Sequence, residues 1–164
     1  MTLMTSPPTP SPIRMVRSGV INATIAFDVV IHNTLWIVGH FHNMALLNIG
    51  LVIFASIYAF LPKLTDRQGY SESLANAHLV LTVVGGYGMA LPMLVQGLQG
   101  APRRYYAYSA YDFLKGTHWQ NVTMSLCAML LISGQALFVV NFVLSLLFGK
   151  KATENPWEAT TLEW

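Results

Sequence analysis

TLWIVGHFHNMALLNIGLVIFASIYAFL, residues 34–61, contains no Asp, Glu, Lys or Arg, yet it carries His40 and His42 near its start. A membrane-spanning helix needs about 20 apolar residues, so this run is long enough to cross a bilayer. Each helical residue advances by about 100°, which sends positions i and i+2 off opposite sides of the rod. The two imidazoles therefore cannot share one small ion, because residues that meet on a helix stand at i,i+3 or i,i+4. Each can ligate its own large cofactor, one on each flank. Haem iron takes an axial His, and the run then reads as one helix standing between two haems. The plain alternative is two polar residues packed inside a helix bundle. Ionisable side chains at membrane depth are rare and usually functional, which favours the ligand reading.

The composition agrees with a membrane chain. Of 164 residues, 54% are hydrophobic and only 10% charged, against about 25% charged in a soluble domain. Mean hydropathy is +0.48. This is the profile of an integral membrane protein. A net charge of +2 without any Lys/Arg run argues against nucleic acid as a partner. The single Cys127 excludes an internal disulfide and a multi-cysteine metal centre.

Three uncharged stretches, 34–61, 74–98 and 121–148, match spanning helices in length. Pro62 and the charged stretch after it are expected to close the first helix. Pro92 should kink the second, which membrane helices tolerate. Residues 1–19 form a Ser/Thr/Pro-rich segment without the apolar centre of a signal peptide, and read as a flexible tail. Residues 20–33 are apolar but short and carry Asp28, which suits an interfacial segment or a crevice in the protein. Residues 99–120 hold Arg103, Arg104, four tyrosines and Trp119 and read as an interfacial loop. A C-terminal tail follows over 149–164. Basic residues split four against five between the two sides, Lys63, Arg67, Lys150 and Lys151 facing Arg14, Arg17, Arg103, Arg104 and Lys115. If Arg103 and Arg104 are neutralised by bound carboxylates, the positive-inside rule places the C-terminus on the cytoplasmic or matrix side.

Arg103 and Arg104 follow Pro102, whose fixed φ helps to aim the loop. Two adjacent guanidiniums suit carboxylates through bidentate, charge-assisted hydrogen bonds, and haem carries two propionates. Lipid phosphate is the alternative ligand. Gly39 removes a side chain where a macrocycle would approach the backbone. Gly85, Gly86 and Gly88 give the second helix a small-residue face for packing against another helix or a flat cofactor, with helix packing the commoner case. His32 and Asn33 could bind a hard cation or a propionate, but two residues do not define a metal site.

The string Asp28-Val29-Val30-Ile31-His32-Asn33-Thr34-Leu35-Trp36-Ile37-Val38-Gly39-His40-Phe41-His42 resembles the start of the tenth helix in subunit I of haem–copper oxidases, where the family reads D-x-x-x-H-D-T-Y-Y-x-x-A-H-F-H. Gly97-Leu98-Gln99-Gly100-Ala101-Pro102-Arg103-Arg104-Tyr105 is similar to the family's G-L-x-G-M-P-R-R-Y after its eleventh helix. The likeness runs from about Val20 to the C-terminus. It implies an all-α membrane fold whose three transmembrane helices complete a twelve-helix bundle. It further implies His40 as axial ligand of a high-spin haem, His42 as one axial ligand of a low-spin haem, and Phe41 on the electron route between them. Arg103, Arg104, Asp28 and His32 would hold the propionates. The positions of His32 and Asn33 help to bind Mg or Mn in the family. Here Asn33 replaces the usual Asp, which removes a charge that a hard cation prefers.

The resemblance also says what lies elsewhere. The ligands of the active-site copper, the second low-spin haem ligand and the proton-channel acids belong to earlier helices. His78 and His118 read as isolated residues near helix ends that do not fill these roles. The implied partners are a chain carrying the earlier helices, subunits II and III, cytochrome c or quinol as donor, and the lipid of a respiratory membrane, bacterial, archaeal or mitochondrial. The implied cofactors are two haems, of A type, with copper in the partner chain. Met1 and the distinct Pro-rich tail favour a separately translated piece. A nitric oxide reductase of the same superfamily and a stand-alone di-haem electron carrier are the alternatives. The latter needs four axial His in pairs, which His32, His78 and His118 do not complete. An assembly or scaffold protein would need no double-His motif.

Overall fold

A computed structural model describes residues 19–68, 70–158 and 160. The tail expected over 1–19 lies, apart from Gly19, outside the described residues. Residues 19–22 are helical, and a seven-residue helix α1 (Ile25–Ile31) follows. This segment adds no span and lies back on the next helix. Trp36 Nε1 donates to Asn22 Oδ1 at 2.7 Å, and the Phe27 and Trp36 rings meet edge to face at 5.5 Å.

The quoted run forms one rod in three parts. α2 (Leu35–His42) leads into a π-helical segment, Asn43–Ile49, and then into α3 (Gly50–Thr65). Thr34 caps the start. Its Oγ1 accepts from the Trp36 N–H at 3.3 Å and donates to the Ile31 carbonyl at 2.8 Å, which occupies one of the donors that a helix N-terminus leaves unpaired. Pro62 does not end the rod, contrary to expectation. The helix passes through it to Thr65 and stops at Asp66, which adopts a left-handed conformation (φ 53°). A proline forfeits only the bond of its own missing N–H, here the one to the Tyr58 carbonyl, and Lys63 to Thr65 complete the last turn beyond it.

α4 (Glu72–Leu98) starts two residues before the expected boundary, capped by Ser71, whose Oγ accepts from the Leu74 N–H at 3.4 Å. It continues unbroken through Pro92. The loop after it contains two 3₁₀ turns, Tyr108–Ala110 and Asp112–Thr117, and the second runs directly into α5 (His118–Phe148). The long rods are 31, 27 and 37 residues, the last including its 3₁₀ turn, and each is long and apolar enough to cross a membrane.

α4 stands between the other two rods. A Cβ on Gly85 would fall 2.7 Å from backbone atoms of Cys127 and Leu131, so only glycine lets α4 and α5 approach this closely. Three polar rungs fix their register. Gln96 Nε2 donates to Asn121 Oδ1 at 3.0 Å, Gln135 Nε2 donates to Thr82 Oγ1 at 3.0 Å, and Asn141 exchanges two hydrogen bonds with the Ser71 backbone at 2.8 and 3.1 Å. In hydrocarbon such side chains must find partners, and a helix interface is where they find them.

At one end, β1 (Arg67–Gln68) pairs antiparallel with β2 (Lys150–Lys151). Trp157 Nε1 donates to the Ala59 carbonyl at 2.9 Å and pins the C-terminal tail to α3. At the opposite end, Leu35, Ala101 and Leu114 form a small buried core, packed by Val38, Met93 and Tyr111. Arg67, Lys150 and Lys151 thus share one end, away from the loop that carries Arg103, Arg104 and Lys115, as the charge pattern suggests. Elsewhere the rods expose large apolar side chains, including Val52, Ile132, Val139 and Leu147.

Candidate functional site

α2 meets α4 through Gly39. A Cβ there would lie 2.9 Å from Met93 Cβ and 3.0 Å from both the Ala90 carbonyl oxygen and the Leu94 nitrogen. The bare Cα of Gly39 therefore serves a helix contact and not the approach of a macrocycle, which corrects the sequence reading. Gly85 and Gly88, which face α5 at Cys127, and Gly86, which receives the side chain of Leu47, serve helix packing, the commoner case expected for them.

This contact orients the histidines. Counting about 100° per residue from Gly39, Phe41 points away from α4, with His40 and His42 splayed to either side of it. Phe41 is 67% exposed, as this geometry requires, while His40 and His42 are partly buried. His42 Nδ1 lies 2.7 Å from the Val38 carbonyl oxygen. A carbonyl only accepts, so Nδ1 carries the proton and the Nε2 lone pair is left for an electrophile. Ring orientation by a second hydrogen bond of this kind is what a metal-ligating imidazole needs. Gly19 sits beside His40, where a Cβ would stand 3.9 Å from Cε1, so no side chain at that position covers the ring. The pair fits two planar cofactors, one on each flank.

A second group gathers at the N-terminal end of α2. His32 Nδ1 lies 3.2 Å from Asp28 Oδ2, one helical turn back. The loop 101–103 is bonded onto the entry to α2. The Leu35 N–H donates to the Ala101 carbonyl at 2.7 Å, the Arg103 N–H donates to the Asn33 carbonyl at 2.9 Å, and Thr34 and Pro102 form an isolated antiparallel bridge. Asp28, His32, Asn33, Arg103 and Arg104 are brought to one edge of the molecule, with both arginines exposed. Backbone bonds set the position of this loop, and the guanidiniums stay available for an anion.

Among the described residues no three His, Cys, Asp or Glu side chains come together as a metal site. His32 and Asn33 offer one ring nitrogen and one amide oxygen, with Asp28 already facing the ring. His78 is not an isolated helix-end residue. It lies within α4, is 2% exposed, and contacts Phe54, Tyr58 and Phe138 at ring separations of 4.7, 6.0 and 5.2 Å. Sequence reading missed this cluster, although a histidine and two tyrosines beside uncharged runs are a visible signal. Tyr70, at its rim outside the spans, has its phenol pushed up by burial and then by the nearby Glu72 carboxylate and Tyr58. His118 opens α5, with Nδ1 3.1 Å from the Tyr108 hydroxyl.

Three apolar rods, a polar loop at each end and a paired-histidine face define a helical integral membrane protein. A model of the family described as Cytochrome C and Quinol oxidase polypeptide I matches residues 17–130. Cytochrome c oxidase subunit 1 of Synechocystis sp. is 36% identical over 147 residues, covering 90% of this chain and 26% of that protein. Alternative cytochrome c oxidase subunit 1 of Bradyrhizobium diazoefficiens is 33% identical, covering 90% of this chain and 25% of the relative. Heme-copper oxidase subunit I+III of Aeropyrum pernix is 36% identical, with 90% of this chain covering 17% of that protein. The chain belongs to the cytochrome c and quinol oxidase polypeptide I family, and corresponds to the C-terminal part of subunit I. It spans about a quarter of the length of the subunit 1 relatives.

Proposed function

We propose that this chain is the haem-bearing C-terminal portion of the catalytic subunit of a terminal oxidase, which passes electrons to oxygen and couples this to proton pumping. His40 is axial ligand to a high-spin haem and His42 to a low-spin haem. Phe41 stands between them on the electron route. Arg103 and Arg104, with Asp28 and His32, hold the propionates. The haems, when bound, supply one-electron transfer and the site of oxygen reduction. What the chain itself contributes is orientation, through the Gly39 contact and the Val38 carbonyl, and positive charge at the propionate edge. The observation that carries the reading is the splay of His40 and His42 around the outward Phe41, with His42 Nδ1 committed to Val38.

The remaining helices and the copper ligands belong to a partner chain, with subunits II and III beside it, in a bacterial, archaeal or mitochondrial respiratory membrane. The haems are of A type, and the donor is cytochrome c or quinol. Mg or Mn at His32 and Asn33 requires carboxylates from a partner, since Asn33 supplies none. In the assembled complex, His40→Ala removes the high-spin optical signal and oxygen reduction, while His42→Ala removes the low-spin signal first. Optical spectra of both variants decide the assignment. Equal damage to one haem with the other intact would refute it.

A further inference from the structure

The end of the molecule opposite the arginine loop carries a cationic ribbon. β1 and β2 pair with Arg67 directly across from Lys151 and Gln68 across from Lys150. Cross-strand partners project to the same side of a ribbon, and like charges placed there repel. All three cations are exposed. Asp66, Glu72, Glu154 and Glu158 belong to the same end, yet among the described residues none forms an ion pair with Arg67, Lys150 or Lys151. One side-chain and one backbone hydrogen bond nevertheless hold the arrangement in place. Arg67 Nη1 donates to the Gly149 carbonyl at 2.9 Å, and the Ala152 N–H donates to the Asp66 carbonyl at 3.0 Å.

Beside the ribbon lies a cleft of about 440 Å³, lined by Gln68, Phe148, Gly149, Lys150, Lys151 and Thr153. One wall is cationic and hydroxylic, and the other is Phe148, which is 78% exposed. Its height in the molecule matters. Phe148 is the last residue of α5 and Thr65 the last of α3, so the cleft sits where two apolar rods leave the hydrocarbon. Anions are abundant at that level as lipid headgroups, which attract basic residues next to a span. Leu64 and Leu147, 80% and 64% exposed, border the same level from the apolar side. A soluble anion would gain nothing from them.

We infer that this ribbon and cleft bind the phosphate of one anionic phospholipid, its acyl chains lying along the ends of α3 and α5. The bound phosphodiester offsets the Arg67–Lys151 repulsion, so the ribbon and the lipid stabilise each other.

The test uses the complete oxidase complex in nanodiscs of phosphatidylcholine doped with a photo-crosslinking phosphatidylglycerol, and separately with the matching phosphatidylcholine probe. The expected result is several-fold stronger labelling by the anionic probe of peptides containing residues 64–68 or 147–153. Lys150→Gln/Lys151→Gln should lower it to the phosphatidylcholine level. Arg67→Lys/Lys151→Arg, which keeps the charge, should retain it and report that the ribbon still folds. Lys115→Gln at the other end should leave it unchanged. Equal labelling by both probes, labelling indifferent to loss of the lysines, or full displacement by inorganic phosphate would each overturn the inference.

Discussion

In the proposed role, Arg103 and Arg104 would set charge beside the propionates without performing bond chemistry. Both side chains are exposed and their loop is held by backbone bonds, so replacing either should leave the loop in place. A cation beside a propionate favours the reduced haem, because it offsets negative charge as the electron arrives. An exposed ion pair is worth about 0.2–1 kcal/mol, equivalent to roughly 10–40 mV for one electron. Arg103→Gln and Arg104→Gln should therefore lower the low-spin haem potential by that order and slow turnover while both haems remain. Redox titration of the two variants checks this, and unchanged potentials in both would remove the propionate role. The opposed directions of His40 and His42 could be read from helical periodicity alone. What surrounds them could not, because it depends on Gly39 meeting Ala90, Met93 and Leu94 more than fifty positions away. A glycine before a histidine looks the same in a sequence whether it admits a cofactor or a neighbouring helix.

Between elements, tight approach carries the burden. A Cβ on Gly97 would collide with the backbone of Trp36, which cannot yield as a side-chain tip can. Gly97→Ala should push α2 away from α4 at a cost of about 1–3 kcal/mol, shift the haem spectra and lower activity. Gly116 has nothing within 4 Å of its Cβ direction, so Gly116→Ala should leave both spectra and activity intact. Asn141→Ala strands the Ser71 backbone groups and should destabilise the complex by about 1 kcal/mol, read as a lower thermal transition. The three spans were legible because long uncharged runs admit few other structures. Their ends were less so. Thr65 lies beyond a proline, and Glu72 and His118 precede the apolar residues, placed by a cap and by a 3₁₀ turn. The β ribbon is two residues per strand and joins positions more than eighty apart, and no local pattern announces it.

In the proposed assignment the whole molecule would present one flank to each haem and leave the opposite side of each to others. Expressed alone, the chain should insert as three helices, bind no haem stably and consume no oxygen. Each haem would have one axial His and an open second face. Co-expression with the chain carrying the earlier helices should restore both spectra and turnover. Six-coordinate haem and oxygen consumption from a partner-free preparation would contradict this. The π-helical segment at Asn43–Ile49 bears on the same whole. Its wider turns carry more residues than α turns would, and they swing Leu47, 1% exposed, into the notch at Gly86. Deleting one residue from an ordinary stretch such as α3 rotates everything beyond it by about 100°, turning Phe54 and Tyr58 away from His78 and Phe138. Deleting Ala45 instead lets the wide turn relax to an α turn, and both ends keep their facing. Within this rod, 43–49 is where the loss of one codon should be tolerated, which a thermal-melt comparison of the Ala45 deletion with a deletion at Val52 checks.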